Sequence, residues 1–148
     1  MGFRFRLQRV LRLAEVEEEV ARSDYEKRVS LLEAREACLL RIDEERRRTA
    51  AALARPDGRT VEDLRLAEAR LLSLNRRRDR QREEVEEYRK LADEARQTLK
   101  HRWAEREKLT RLRARLFHQH RLREERAAQL EMDNLVAARH GRDSAEGR

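Results

Sequence analysis

A single break interrupts a sequence whose pattern is otherwise helical along its whole length. The stretch Arg55–Thr60 contains the only proline of the chain, together with Gly58. Proline disfavours a helical conformation in the residue before it, so a first helix should end near Ala54. Thr60, followed three residues later by Asp63, has the pattern of a helix N-cap. The sequence predicts helix one over about 4–54, a turn over 55–60 and helix two over about 60–139.

Apolar residues recur along both predicted helices in alternating steps of four and three. The first series includes Leu7, Leu11, Ala14, Ala21, Leu32, Leu39 and Ile42, and the second Leu64, Ala67, Leu71, Leu74, Val85, Ala92 and Ala95. A repeat of 3.5 residues is the seam of a coiled coil. With a short turn between them, the two seams must face each other. We therefore expect a single all-α domain over 1–148, an antiparallel coiled-coil hairpin whose longer second helix overhangs the first.

The turn position also predicts which residues face each other. Folding near residue 57 pairs residue i with about 114 − i, which places Phe3 near Arg111. Arg28 and Arg35 then come roughly opposite Arg78 and Gln81, a like-charged layer. Apolar residues continue beyond the paired region, among them Leu116, Phe117, Leu122, Leu130, Leu135 and Val136. We expect this overhang to dock against another protein, and we expect a disordered tail over 141–148.

Charge dominates the composition: 45% of the residues are charged, and 37 Lys and Arg against 30 Asp and Glu give a net charge of +7. The acids and bases are interleaved, which is typical of solvated helix faces. No apolar run has the length of a membrane span, and no signal sequence is recognisable, so we expect a cytoplasmic protein. The lone Cys38 cannot form an internal disulfide. We find no catalytic residues, no phosphate-binding loop, no metal-ligand spacing and no cofactor motif.

The first residues are unusually basic for the start of a helix. Arg4, Arg6, Arg9 and Arg12 have no acidic residue among them, although the positive end of the helix dipole favours acids there. The hairpin brings them beside a second basic segment, which contains Lys108, Arg111, Arg113 and Arg115. Two basic segments held together form a basic tip, which predicts an acidic partner at that end.

Two sequence motifs carry a resemblance to a known family. The opening FRFRLQRVL, Phe3–Leu11, followed by an acid-rich stretch, resembles the start of the FliJ family of flagellar export proteins. The segment EMDNLVA, Glu131–Ala137, is similar to that family's C-terminal segment, although Asn134 stands where an acid is common and Val136 where alanine is. The resemblance implies a stalk-like component of the flagellar type III export apparatus at the cytoplasmic face of the flagellar base.

The resemblance also implies partners and the residues that bind them. The stalk would insert into the hexameric export ATPase FliI and contact the export gate protein FlhA, with export chaperones as further candidate partners. The ATPase contact would involve Phe3, Arg4, Phe5, Arg6, Leu7, Arg9, Met132, Asp133 and Leu135. The gate contact would lie early in helix two, at Leu71, Leu72, Leu74 and Arg78. Two alternatives remain open: a basic coiled coil that binds nucleic acid, and a passive or homodimeric scaffold.

Overall fold

Two long α-helices make up almost all of the molecule. The computed structural model describes residues 2–55 and 58–147. Helix α1 spans Gln8–Leu53 and helix α2 spans Val61–Glu146, and the described residues contain no strand. The two helices pack against each other, which confirms the all-α fold. Within 2–55 and 58–147, neither helix offers a stretch apolar and long enough to cross a lipid bilayer.

Helix α1 begins at Gln8, later than the predicted start near residue 4. The backbone N–H of Gln8 donates to the carbonyl of Phe5 at 3.1 Å, and that of Leu11 to the carbonyl of Leu7 at 2.9 Å. The first turn contains no acidic residue, and the arginines before it oppose the helix dipole. The chain ahead of Gln8 is therefore not α-helical, and it buries Phe5 instead.

Helix α2 starts with the cap that the sequence predicts. The N–H of Thr60 donates to the Asp63 carboxylate at 3.1 Å, and the N–H of Asp63 donates to the Thr60 hydroxyl at 3.3 Å. This reciprocal pair is a capping box with aspartate in the place of glutamate. The predicted turn over 55–60 includes Pro56 and Asp57, which lie outside the described residues.

The far end of α2 extends beyond the predicted boundary. The sequence predicts an end near 139 and a disordered tail from 141, whereas α2 runs to Glu146. Within this last stretch the Ser144 hydroxyl donates to the carbonyl of His140 at 2.8 Å, as in a regular helix. Helical backbone therefore continues through Gly141.

The chain divides into two compact units, which are described separately. The terminal unit comprises Met1–Val16 and Trp103–Arg148, and the central unit comprises Glu17–Arg102. In the central unit the core is a narrow line of seam residues, Ala21, Ile42, Leu74, Val85, Ala92 and Ala95. Two polar side chains, Glu18 and Gln81, are buried in the same line. The burial of these apolar positions confirms the seam that the 3.5-residue repeat predicts.

Ion pairs between the helices of the central unit correct the predicted register. Nε of Arg78 lies 2.6 Å from a carboxylate oxygen of Asp43, where the predicted register would place Leu71. Arg35 pairs with Glu84 at 3.1 Å, and its guanidinium lies 5.0 Å from the centroid of the Tyr88 ring. The predicted repulsion between arginines is therefore wrong, because Arg28, Arg35 and Arg78 each pair with an acid. The predicted proximity of Gln81 to Arg35 is found, since the Gln81 amide donates to the Arg35 carbonyl at 3.1 Å. A slip of about one heptad preserves the seam and changes only which side chains meet across it.

In the terminal unit the paired region is short. Phe5, Leu11 and Ala14 are buried, and Leu11 is only 2% exposed. On α2, every described residue from Arg121 to Gly147 is exposed. These include the large apolar side chains Leu122, Leu130, Met132, Leu135 and Val136. The predicted overhang of the second helix is therefore present.

Candidate partner-binding surfaces

The segment ahead of α1 is anchored to α2 by aromatic side chains within the terminal unit. The Phe3 ring packs edge-on against Phe117, with centroids 5.2 Å apart and an interplanar angle of 71°. It packs in the same way against His120, at 5.7 Å and 69°. Nδ1 of His120 lies 3.5 Å from the Glu124 carboxylate. Edge-to-face packing is a favoured geometry for aromatic pairs, so these contacts fix the position of residues 2–7.

This anchoring differs from the predicted neighbourhood of Phe3. The sequence places Phe3 near Arg111, whereas the structure places it against Phe117 and His120. Arg111 pairs instead with Glu107 on its own helix at 3.2 Å. The sequence carries no signal for this shift of Phe3 along α2, because a seam with a repeat of seven residues looks the same after a slip of one heptad.

The anchored segment forms one wall of a basic groove. Four arginines line it, with Phe3, Phe5 and Gln8 between them, and its volume is about 590 Å³. We call it the arginine groove; its arginines are Arg4, Arg6, Arg9 and Arg113. Within 2–55 and 58–147, no acidic side chain lines it. Among the described residues, none of these four guanidinium groups forms an ion pair with a carboxylate.

The electrostatics of the arginine groove favour an anionic partner. Like charges close together repel, and in a solvated groove that repulsion is offset by counterions. The start of α1, at Gln8 and Arg9 in the same groove, adds the positive end of the helix dipole. The predicted juxtaposition of Arg4, Arg6 and Arg9 with the second basic segment is found at Arg113. An acidic surface that enters this groove would replace the counterions and relieve the repulsion.

The residues of the resemblance-based ATPase contact fall into two groups. Phe3, Arg4, Phe5, Arg6 and Arg9 line the arginine groove, with Phe5 buried as part of the core. Leu7 lies between them in sequence and is 37% exposed. The other group, Met132, Asp133 and Leu135, is exposed on the overhang. At 1.5 Å per residue, Met132 lies about 18 Å further along α2 than His120, so the two groups do not form one contact patch.

The residues of the resemblance-based gate contact differ in accessibility. Leu72 is 57% exposed, whereas Leu74 is only 2% exposed and belongs to the core of the central unit. Leu71 is half-buried. Arg78 is half-buried and engaged with Asp43. Only Leu72 of these four offers a large, freely accessible side chain.

The described residues contain no group of three or more His, Cys, Asp or Glu that could hold a metal ion. Cys38 is a free thiol, half-buried, beside Arg77 and Arg80. The arginine groove presents positive charge and the overhang presents exposed apolar side chains, and both features are common in surfaces by which proteins recognise one another.

The chain matches the model of a known protein family. A family model described as "Flagellar FliJ protein" matches residues 3–145 of the 148. No curated protein and no solved structure gives a significant match. The family match covers both units and both groups of residues described above.

Proposed function

The chain belongs to the FliJ family of flagellar export proteins, and on that premise we propose that it is the non-enzymatic coiled-coil stalk of the type III export apparatus. It inserts into the hexameric export ATPase FliI, promotes assembly and activity of the hexamer, and links it to the gate protein FlhA. It works at the cytoplasmic face of the flagellar base, where export chaperones are further candidate partners.

The arginine groove is the observation that supports the ATPase contact best. Four guanidinium groups lie together, and no acidic side chain from the described part of the chain lines the groove. Four positive charges that lie close together repel one another. An acidic partner that binds there would relieve this repulsion and gain favourable electrostatic free energy. Phe3, fixed by Phe117 and His120, holds the groove in its open shape before any partner arrives.

The overhang is a second observation that supports the ATPase contact. Residues 121–147 present Leu130, Met132 and Leu135 to solvent, each about 60% exposed. Exposed large apolar side chains on an unpaired helix are typical of surfaces that become covered in an assembly. Insertion into the centre of a ring would cover both the arginine groove and the overhang.

The gate contact rests on the central unit and centres on Leu72. Its side chain is accessible, and helix α2 around it carries the exposed Arg76 and Arg77. The half-buried Leu71 lies at the edge of this contact. Leu74 and Arg78 hold the helix surface beneath the contact in place. Leu74 packs in the core, and Arg78 pairs with Asp43.

The experiment that tests the ATPase contact is charge reversal in the arginine groove. Replacing Arg4, Arg6 and Arg9 by glutamate should reduce stimulation of FliI to the level of the ATPase alone, while circular dichroism stays helical. The matched control reverses Arg41, Arg47 and Arg80, three exposed arginines of the central unit, and should retain stimulation. Stimulation that survives the first triple variant would refute the ATPase contact at this groove.

The nucleic-acid alternative predicts a different response to salt. A protein that neutralises several phosphates binds DNA with an affinity that falls steeply as salt rises. The stalk should show only weak attraction to DNA at physiological salt. A steep salt dependence together with submicromolar DNA binding at that salt would favour the alternative.

A further inference from the structure

A second groove lies against the arginine groove in the terminal unit. Its lining residues are Phe3, Thr110, Arg113, Ala114 and Phe117, and its volume is about 570 Å³. We call it the aromatic groove. The two grooves share Phe3 and Arg113. Its volume lies in the range of ligand-binding pockets, about 300–1,000 Å³.

The aromatic groove is apolar except at one point. Phe3 and Phe117 contribute rings, and Ala114 contributes a methyl group. The Thr110 hydroxyl donates to the carbonyl of Arg106 at 3.0 Å, so its proton is already engaged within the helix. Arg113 is then the one lining residue that offers charged donors to a ligand, and it forms no ion pair among the described residues.

The walls of the groove are held in place without a ligand. Phe3 contacts both Phe117 and His120, and His120 lies beside Glu124. Phe117 remains 46% exposed although it is a large apolar side chain. An apolar recess that is already formed, with a single cation at its rim, selects an apolar group that carries or adjoins an anion.

We propose that the aromatic groove binds one large apolar side chain of a partner polypeptide whose adjacent carboxylate pairs with Arg113. The inference rests on the proposed function, because the partner is taken to be the export ATPase, and it adds the chemistry that the contact recognises. An acidic segment would lie along the arginine groove, and the apolar side chain next to it would enter the aromatic groove. Phe117, Ala114 and Arg113 are then binding residues in addition to those that the family resemblance implies.

Charge and ring geometry favour a polypeptide over a nucleic acid. The edge-on contacts of Phe3 with Phe117 and His120 engage its ring. Binding of single strands depends on stacking successive bases on exposed ring faces, and Phe117 alone offers an exposed phenylalanine here. A carboxylate next to an apolar side chain needs one recess and one arginine, which this groove supplies.

The first test uses 1-anilinonaphthalene-8-sulfonate, an apolar aromatic anion whose fluorescence rises on apolar protein surfaces. Wild-type protein should bind the dye. Ala114→Trp fills the groove at an exposed helical position and should weaken dye binding at least tenfold. Arg113→Glu should weaken it about tenfold, as expected when one charge-assisted contact is lost. The matched control Ala128→Trp, exposed on the same helix, should change it less than twofold. Equal dye affinities for Ala114→Trp and Ala128→Trp would overturn the proposal.

The second test adds the export ATPase and separates the two proposals. FliI should displace the dye from wild-type protein and should bind Ala114→Trp at least tenfold more weakly than Ala128→Trp. Equal binding of both variants by FliI would overturn the groove proposal and leave the stalk function intact. If FliI binds none of the proteins, the stalk function and the assignment of this partner both fail. Displacement of the dye by a single-stranded oligonucleotide at physiological salt, but not by FliI, would overturn the choice of a polypeptide.

Discussion

The ring of Phe3 lies edge-on to the ring of Phe117, with centroids 5.2 Å apart. This contact ties the segment ahead of α1 to one place on α2. It decides that Arg113 lines the arginine groove, while Arg111 pairs with Glu107 on its own helix. A contact between two uncharged rings therefore determines the shape of the most basic surface that we identify on the protein.

Replacing Phe3 by alanine should loosen this end of the terminal unit. The loss should be about 1 kcal/mol, because one aromatic pair contributes on the order of 0.5–1.5 kcal/mol beyond its buried area. Hydrogen exchange at the amide of Leu11, whose side chain is 2% exposed, should become faster. Phe3→Leu should restore part of the protection. Unchanged exchange in Phe3→Ala would show that the ring contacts do not hold the segment.

Replacing Gln81 by leucine should relax the register without unfolding the hairpin. Gln81 is buried, and its amide donates to the carbonyl of Arg35 at 3.1 Å. An apolar side chain of similar size should leave Tm unchanged or raise it, since burying a polar group costs free energy. The substitution also removes a polar seam residue that specifies one register, so a second register becomes accessible.

The measurement for Gln81→Leu is a distance distribution between spin labels at Leu40 and Asp79, both exposed, in a Cys38→Ser background. We expect a second population at longer distance, because a slip of one heptad offsets the two labels along the helix axis by about 10 Å at 1.5 Å per residue. The wild-type residue at 81 should give one narrow population. A single narrow distribution in both proteins would argue against a role for Gln81 in fixing the register.

Alanine substitutions at Leu72 and Leu74 should separate a contact residue from a core residue. Leu74→Ala should lower the free energy of unfolding by about 2–5 kcal/mol, as for other buried leucines. Leu72→Ala should change it by less than about 0.5 kcal/mol, because surface substitutions have small effects, and should weaken binding to FlhA. Thermal denaturation and a pull-down with FlhA measure the two effects. Loss of stability in Leu72→Ala would show that this side chain serves packing instead.

The pKa of Glu45 should depend on Arg70. A hydrogen bond from Arg70 at 2.6 Å holds the pKa of Glu45 below its ordinary value of 4.5. Desolvation opposes this lowering of the pKa, and attraction from Arg70 and Arg77 adds to it. A lowered folded-state pKa stabilises the hairpin above the unfolded value, and this contribution is lost as pH falls through the folded value. Arg70→Ala should raise the pKa of Glu45 towards its ordinary value.

Carboxyl carbon chemical shifts recorded against pH measure that change. The control Arg48→Ala removes an arginine that lies 3.9 Å from Glu44 and should leave the pKa of Glu45 where it is. A pKa of Glu45 that is the same with and without Arg70 would contradict the cross-helix pair.

Much of the candidate site follows from local sequence and the rest does not. Arg4, Arg6 and Arg9 are close in sequence, so their clustering could be predicted, as could the exposure of Leu130, Met132 and Leu135 on an unpaired helix. The sequence could not predict that Arg113, Phe117 and His120 belong to the candidate site. It depends on which turn of α2 faces Phe3, and a repeat of seven residues looks the same after a shift of seven.

The sequence by itself determined that this protein is two helices joined near its only proline, because a 3.5-residue apolar repeat and one strong helix breaker permit little else. The tertiary structure alone decided the register, because shifting the helices by a heptad buries the same seam and leaves the apolar burial nearly unchanged. Side-chain contacts made only in the folded state resolve that ambiguity: Arg78 with Asp43, Arg35 with Glu84, and Phe3 with Phe117. The grooves of the terminal unit follow from the last of these contacts.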